Sequence, residues 1–361
     1  MKHEETKPWP QALLEALRGM AVALVVAMAL WAVIGPVQAA ESTSSSGETM
    51  VIPMGRAVGI KLFSDGVIVV GMSDIATDQG AVNPARDCGL KEGDIITHIN
   101  SEEVDSIEEV RAVLQELEGE TMSIRALRGE KQVQMTAQAV QCSTDGSYKL
   151  GAWIRDSMAG IGTMTFYQPS TGTFGALGHG ISDIDTALLM PLEDGSIMYA
   201  EVAQVQKGVT GTPGQLQGAF EVSHDLGELW ANTNCGVFGT LTDESLVGSQ
   251  QAVPVAQRDE VELGAATILS NISGDEVREY GIEITKIFAE SATDSRDFMI
   301  QVTDPVLLET TGGIVQGMSG SPILQNGKLI GAVTHVLVND PTSGYAISGE
   351  RMLSQAAQSG E

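Results

Sequence analysis

Apolar residues in this chain fall mostly in short runs broken by glycine, asparagine and aspartate, the pattern of strands joined by turns. The run VIVV at 67–70 follows a Ser64-Asp65-Gly66 turn and reads as a buried strand. Strands are predicted at 122–127 and 132–136, around Arg128-Gly129-Glu130. Between them and the first strand, Ser106 and Glu109 form a capping box, and Ile107, Val110, Val113, Leu114 and Leu117 recur at helical spacing. From Leu150 onward the pattern is mostly β, with strands predicted at 153–155, 161–167 and 173–177 and alternating segments over 190–290. Near the C-terminus Ile323 and Leu324, an Asn326-Gly327 turn and the run 329–333 predict a hairpin. A helix is predicted over 350–357.

The N-terminal pattern differs. Residues 1–18 are polar, and from Gly19 to Val37 no charge appears over 19 residues, near the ~20 a helix needs to span a bilayer. Residues 19–38 therefore read as an uncleaved anchor or as a signal peptide cut near Val37-Gln38-Ala39. The anchor is favoured because the run exceeds an ordinary signal-peptide core. Either reading places the body of the protein outside the cytoplasm, with the basic residues on the N-terminal side. Residues 39–50 contain the stretch ESTSSSGET and read as a flexible linker open to proteolysis.

Composition narrows the function. A net charge of −27 argues against nucleic-acid binding through phosphate contacts. Cys88, Cys142 and Cys235 are too few for a disulfide framework and lack zinc-site spacing, so no metal or other cofactor is implied. Forty-one glycines against 7 Phe, 5 Tyr and 4 Trp suit a turn-rich β protein with aliphatic cores.

The chemistry points to Gly317-Met318-Ser319-Gly320-Ser321-Pro322. Glycines around a serine let the backbone approach a substrate carbonyl and can aim two amide N–H groups at one oxygen. An α/β-hydrolase elbow would need a helix after the serine, and here a hairpin follows. A serine needs a base, and the chain has five histidines. His3 precedes the apolar segment, His98 lies in a distant strand, and His224 sits in an acidic loop. His335 follows the hairpin; His179, bracketed by Gly178 and Gly180, is the favoured base. For the acid that orients it, Asp183, Asp185 and Asp304 all remain open. Cys235 has no neighbouring histidine and reads as a buried thiol.

Two resemblances extend this reading. Gly89-Leu90-Lys91-Glu92-Gly93-Asp94-Ile95-Ile96-Thr97-His98-Ile99-Asn100, preceded by Asn83-Pro84-Ala85, resembles the signature of PDZ domains. It implies a groove that receives an extended peptide as an added strand. By that match the carboxylate-binding loop would be Val58, Gly59, Ile60, Lys61 and Leu62. The serine segment resembles the nucleophile loop of chymotrypsin-like peptidases. Together with GALGHGISDIDT and NTNCGVFG, it also resembles the SpoIVB family, the sporulation stage IV B serine peptidases of endospore-forming bacteria.

These resemblances imply a mainly β chain: N-terminal transmembrane or signal segment, PDZ domain over 51–140, and chymotrypsin-like double β-barrel peptidase domain over 141–361. They imply a triad of His179, Asp304 and Ser319, with an oxyanion hole from the N–H groups of Gly317 and Ser319. Thr334, His335 and Val336 would line the substrate strand, and Gly344, Tyr345, Ala346 and Ile347 would close the specificity pocket. The family implies self-cleavage near the N-terminus and action between the membranes around a developing spore. There it cuts a membrane-bound partner so that an intramembrane protease activates a late sigma factor. A different class of function is a non-catalytic PDZ scaffold with a degenerate protease domain.

Overall fold

The computed structural model describes residues 48–248, 250–290 and 295–360. The segment expected to cross or leave the membrane at 19–38, the polar residues before it and most of the Ser-rich linker lie outside the described residues. Among the described residues no helix is long and apolar enough to cross a membrane.

The chain opens with β1 (Met50–Met72), α1 (Pro84–Cys88), β2 (Asp94–Ile99), α2 (Ile107–Glu116), β3 (Thr121–Arg128) and β4 (Lys131–Gln138). Next come β5 (Ala152–Gln168), β6 (Thr173–Ala176), β7 (Asp194–Gln206), β8 (Gln215–Thr233) and β9 (Gly236–Leu241). The last third holds β10 (Gly264–Asn271), β11 (Val277–Ile287), β12 (Phe298–Val302) and α3 (Pro305–Thr311). After these come β13 (Pro322–Gln325), β14 (Lys328–Leu337), β15 (Asp340–Ser348) and α4 (Gly349–Ser359).

Two rings of six strands result. The C-terminal ring runs β10-β11-β12-β15-β14-β13 and closes where β13 pairs back onto β10. The N-terminal ring runs β1-β7-β8-β9-β6-β5 and closes where β5 pairs with β1. Alternation in the strands fills each interior with aliphatic side chains: Val58, Ile60, Met164 and Ile197 in the first barrel, Ile268, Ile282, Ile300 and Val333 in the second. Each such side chain contributes about 1.5–3 kcal/mol on burial. Helix α4 packs Met352 and Ala356 onto Phe166 and Phe238 of the first barrel and Ile347 of the second, tying the two together.

A third core lies at the far end of β1 and β5. Val67 and Ile68 of β1 pair with β2, and residues 68–72 pair with residues 152–155 of β5. β3 and β4 extend this sheet, and α2 covers it with Val110, Val113 and Leu114. The expected capping box of α2 is present: Ser106 Oγ accepts from the Glu109 N–H, and Glu109 Oε2 accepts from the Ser106 N–H.

Sequence reasoning divides the chain at residue 140, whereas the pairing places residues 52–63 in the first barrel. The expected Ser64-Asp65-Gly66 turn is an irregularity inside one continuous β1, where the Gly66 N–H donates to Asp105. The third core is thus inserted into the β1–β5 hairpin of the first barrel.

Candidate active site

Helix α3 stops at Gly312, whose left-handed backbone terminates it, and the chain then crosses to β13 through residues 313–321. Met318 is fully buried in the second barrel's core and anchors the middle of this turn. Gly317 and Gly320 on either side have φ of 98° and 96°, a region only glycine occupies freely. At Gly320 a Cβ would also lie 2.0 Å from the carbonyl oxygen of Thr163, so no side chain fits there. The carbonyls of Gly317 and Ser319 are both held from β5. Thr163 donates its hydroxyl to the first at 2.7 Å and its N–H to the second at 3.1 Å. The N–H groups of Gly317 and Ser319 have no acceptor among the described residues.

Ser319 Oγ donates to the carbonyl of Thr334 at 2.6 Å. That carbonyl is available because the β14–β15 ladder breaks register between Val333 and His335, leaving Thr334 as the bulged residue.

His179 follows β6, swung out by a left-handed Gly178. Its Nδ1 lies 2.8 Å from the Gly180 carbonyl. A carbonyl oxygen only accepts, so Nδ1 carries the proton and Nε2 is the free base. Burial disfavours the imidazolium and pushes His179 below the ordinary histidine range, only partly countered by the Gly180 bond. The His335 ring lies 4.9 Å away, tilted by 36°. Partial burial, His179 and the Arg296 guanidinium lower His335 to about 4. Ser319, His179, Gly317, Thr334, His335 and Val336 all line one cavity of about 490 Å³.

Asp304 does not join them. It is the N-cap of α3: its Oδ1 accepts from the N–H groups of Val306 and Leu307 at 2.9 and 3.0 Å. The signal was in the sequence, since Asp followed by Pro305 is a helix start. Asp183 and Asp185 do not reach His179 either; both pair with Arg155 of β5. Burial alone would raise the Asp183 carboxyl. The Thr186 N–H and hydroxyl, Arg155 and the Asp185 N–H outweigh that and hold it below the usual range. The Gly180 carbonyl therefore holds the tautomer of His179.

Val58, Gly59, Ile60, Lys61 and Leu62 form no carboxylate-binding loop. Each pairs with β5 on one edge and β7 on the other, so none can accept an added strand. A cavity of about 810 Å³ opens instead between α2 and the start of β5, lined by Ile107, Val110, Leu114, Ala152 and Ile154. Residues 152–155 pair with β1 alone, leaving their other edge without a strand partner among the described residues. Leu150-Gly151-Ala152-Trp153, an apolar-Gly-apolar stretch before a strand, was the signal missed.

Residues 146–353, more than half of the chain, match the family described as SpoIVB peptidase S55. The chain belongs to the SpoIVB peptidase S55 family. Residues 81–128 match the PDZ domain. This S55 family member is accordingly a serine peptidase with a PDZ module, and its substrate is a peptide or protein. Among curated proteins none matches it. Several solved structures are similar over parts of the chain. The PDZ domain of an SdrC-like protein from Listeria monocytogenes is 26% identical, covers 25% of this chain and 87% of its own, and has a TM-score of 0.21. The active form of the Rv3671c protease from M. tuberculosis is 15% identical over 70% of this chain and 85% of its own, with a TM-score of 0.32. The HtrA-type protease AlgW with a decapeptide is 12% identical over 60% of this chain and 55% of its own, with a TM-score of 0.34.

Proposed function

We propose that this S55 peptidase is an extracytoplasmic endopeptidase of sporulation signalling, built on a chymotrypsin-like plan, with Ser319 as nucleophile and His179 as base. The observation that carries the catalytic part is the gathering on one cavity of Ser319, His179 and two N–H groups that have no acceptor among the described residues. For attack, Ser319 Oγ leaves the Thr334 carbonyl and donates to Nε2 of His179. The alkoxide adds to the substrate carbonyl while His179 takes the proton and later returns it to the leaving amine. The Gly317 and Ser319 N–H groups receive the oxyanion, each typically worth about 10²–10³ in rate. Water then hydrolyses the acyl-enzyme by the same proton route.

The biological setting rests on the family resemblance and on the charge-free segment before residue 39. In this reading the peptidase faces the space between the two membranes around the forespore, held or exported through residues 19–38. It cleaves itself in the Ser-rich linker and then cuts a membrane-bound regulator of an intramembrane protease. The cleft between α2 and β5 takes an extended segment of the partner.

A fluorophosphonate probe separates an enzyme from a PDZ scaffold. Labelling of Ser319 in the wild type and none in Ser319→Ala is expected; an unlabelled, folded wild type would favour the scaffold. Mass spectrometry of both proteins after incubation tests self-cleavage, which Ser319→Ala is expected to lose.

A further inference from the structure

We infer that Thr163 is a positioning residue that fixes the oxyanion turn and the base loop relative to each other. The inference rests on Ser319 being the nucleophile.

The turn from Gln316 to Ser321 is a series of peptide units, and the two N–H groups proposed for the oxyanion belong to alternate units. Rotating either unit about its flanking bonds would re-aim its N–H, and glycine at 317 lowers the barrier for the first of them. Bonds from elsewhere must therefore hold the turn. Within the second barrel the Gly320 N–H donates to Val333 and the Ser321 N–H to Met318. The carbonyls of Gly317 and Ser319, which lie next to the proposed donors, are held from the first barrel, and Thr163 holds both.

Thr163 is almost wholly buried, so these bonds are shielded from water. Its own carbonyl accepts from the N–H of Leu177 at 3.1 Å, two residues ahead of His179. Leu177 has φ of 68°, a left-handed conformation unusual for leucine, so the loop entering His179 is not a relaxed strand end. One residue thus bonds to the turn bearing the nucleophile and to the loop bearing the base. The two lie on different barrels, and Thr163 bridges their interface. Threonine suits the position because β5 needs a β-branched residue there and the clamp needs a hydroxyl.

The test compares Thr163→Val, Thr163→Ser and wild type in the full chain. The readout is fluorophosphonate labelling, resolved into the maximal rate and the half-saturating concentration, alongside thermal unfolding. Valine keeps the shape and backbone but loses the hydroxyl bond to Gly317. The expected result is a fall of about tenfold or more in maximal labelling rate, with half-saturation within about twofold and recovery in Thr163→Ser. A purely structural role would lower the melting temperature without this split, or would leave Thr163→Ser as impaired as Thr163→Val. Either outcome overturns the inference, as does a Thr163→Val maximal rate equal to wild type. If Thr163→Val fails to fold, Thr163→Ala is assayed on its folded fraction, with the same outcomes deciding. Failure of the wild type to label would instead sink the assignment of Ser319, so the two failures are distinguishable.

Discussion

The hydroxyl of Ser319 donates to the main-chain carbonyl of Thr334, and the bulge that frees this carbonyl also buries the Thr334 side chain. Among the described residues the Thr334 hydroxyl has no hydrogen-bond partner. A buried unsatisfied hydroxyl costs about 1–3 kcal/mol. Thr334→Val is therefore expected to raise the melting temperature by at least about 2 °C, while the carbonyl that holds Ser319 remains. Calorimetry of the two proteins checks it; a lower melting temperature would mean that the hydroxyl has a partner, such as an ordered water.

His179 and His335 are both pushed below the ordinary 6.5. The base must be neutral to act, so labelling of Ser319 is expected to persist below pH 6.5 and to fall only as His179 gains its proton. The sign for stability is the same. A histidine with a depressed folded value binds more protons when unfolded, so its contribution is complete above 6.5 and lost as pH falls through the folded value. For His335 that window runs from 6.5 down to about 4. His335→Gln is expected to flatten the fall in melting temperature across this window; an unchanged slope would locate the titration elsewhere.

Asp304→Asn is expected to keep labelling close to wild type, because asparagine caps a helix as well as aspartate does. Asp304→Ala is expected to cost about 1 kcal/mol of stability through the lost cap. In a triad that depends on its aspartate, the Asn change lowers turnover about 10⁴-fold. A loss of that order in Asp304→Asn, at unchanged melting temperature, would return the carboxylate to the site.

Phe63 of β1 pairs with Ser157 of β5 at the neck of the inserted module. Replacing residues 64–156 by a short glycine turn is expected to leave both barrels closed and Ser319 reactive, though without the cavity between α2 and β5. Starting the chain at Ser147 instead removes β1 and opens the first barrel, so labelling is expected to vanish. Equal labelling of the two truncated proteins would mean that β1 is dispensable to the site.

Local chemistry made much of this legible. The Asn326-Gly327 turn has both residues at positive φ, as its hairpin requires, and the Ser106 box caps α2 as the spacing indicated. Ser319, Gly317 and His179 were found because glycine brackets mark backbone that must bend sharply or approach closely. Long-range partners decided the rest. Residues 153–155 and 161–167 read as two strands because a glycine, Gly160, falls between them, yet β5 runs unbroken because β1 pairs along its length. Val58 to Leu62 carry the alternation of any half-buried strand, and nothing local tells a barrel wall from a groove. Asp304 shows the converse: its local role as a cap was readable, and the family resemblance directed attention past it.

The insertion of the PDZ module also bears on how the first barrel forms. β1 and β5 are separated by the whole module, and joining strand ends across about 90 residues costs roughly 3 kcal/mol more loop entropy than a tight hairpin. A module that folds first removes that cost, because its own sheet already holds residues 68–72 beside residues 152–155. The pairing can then zip from Phe63 and Ser157 toward Ile52 and Tyr167. Assembly is thus expected to begin in the inserted module, with the nucleophile turn ordered among the last parts, once Thr163 is in place to receive it.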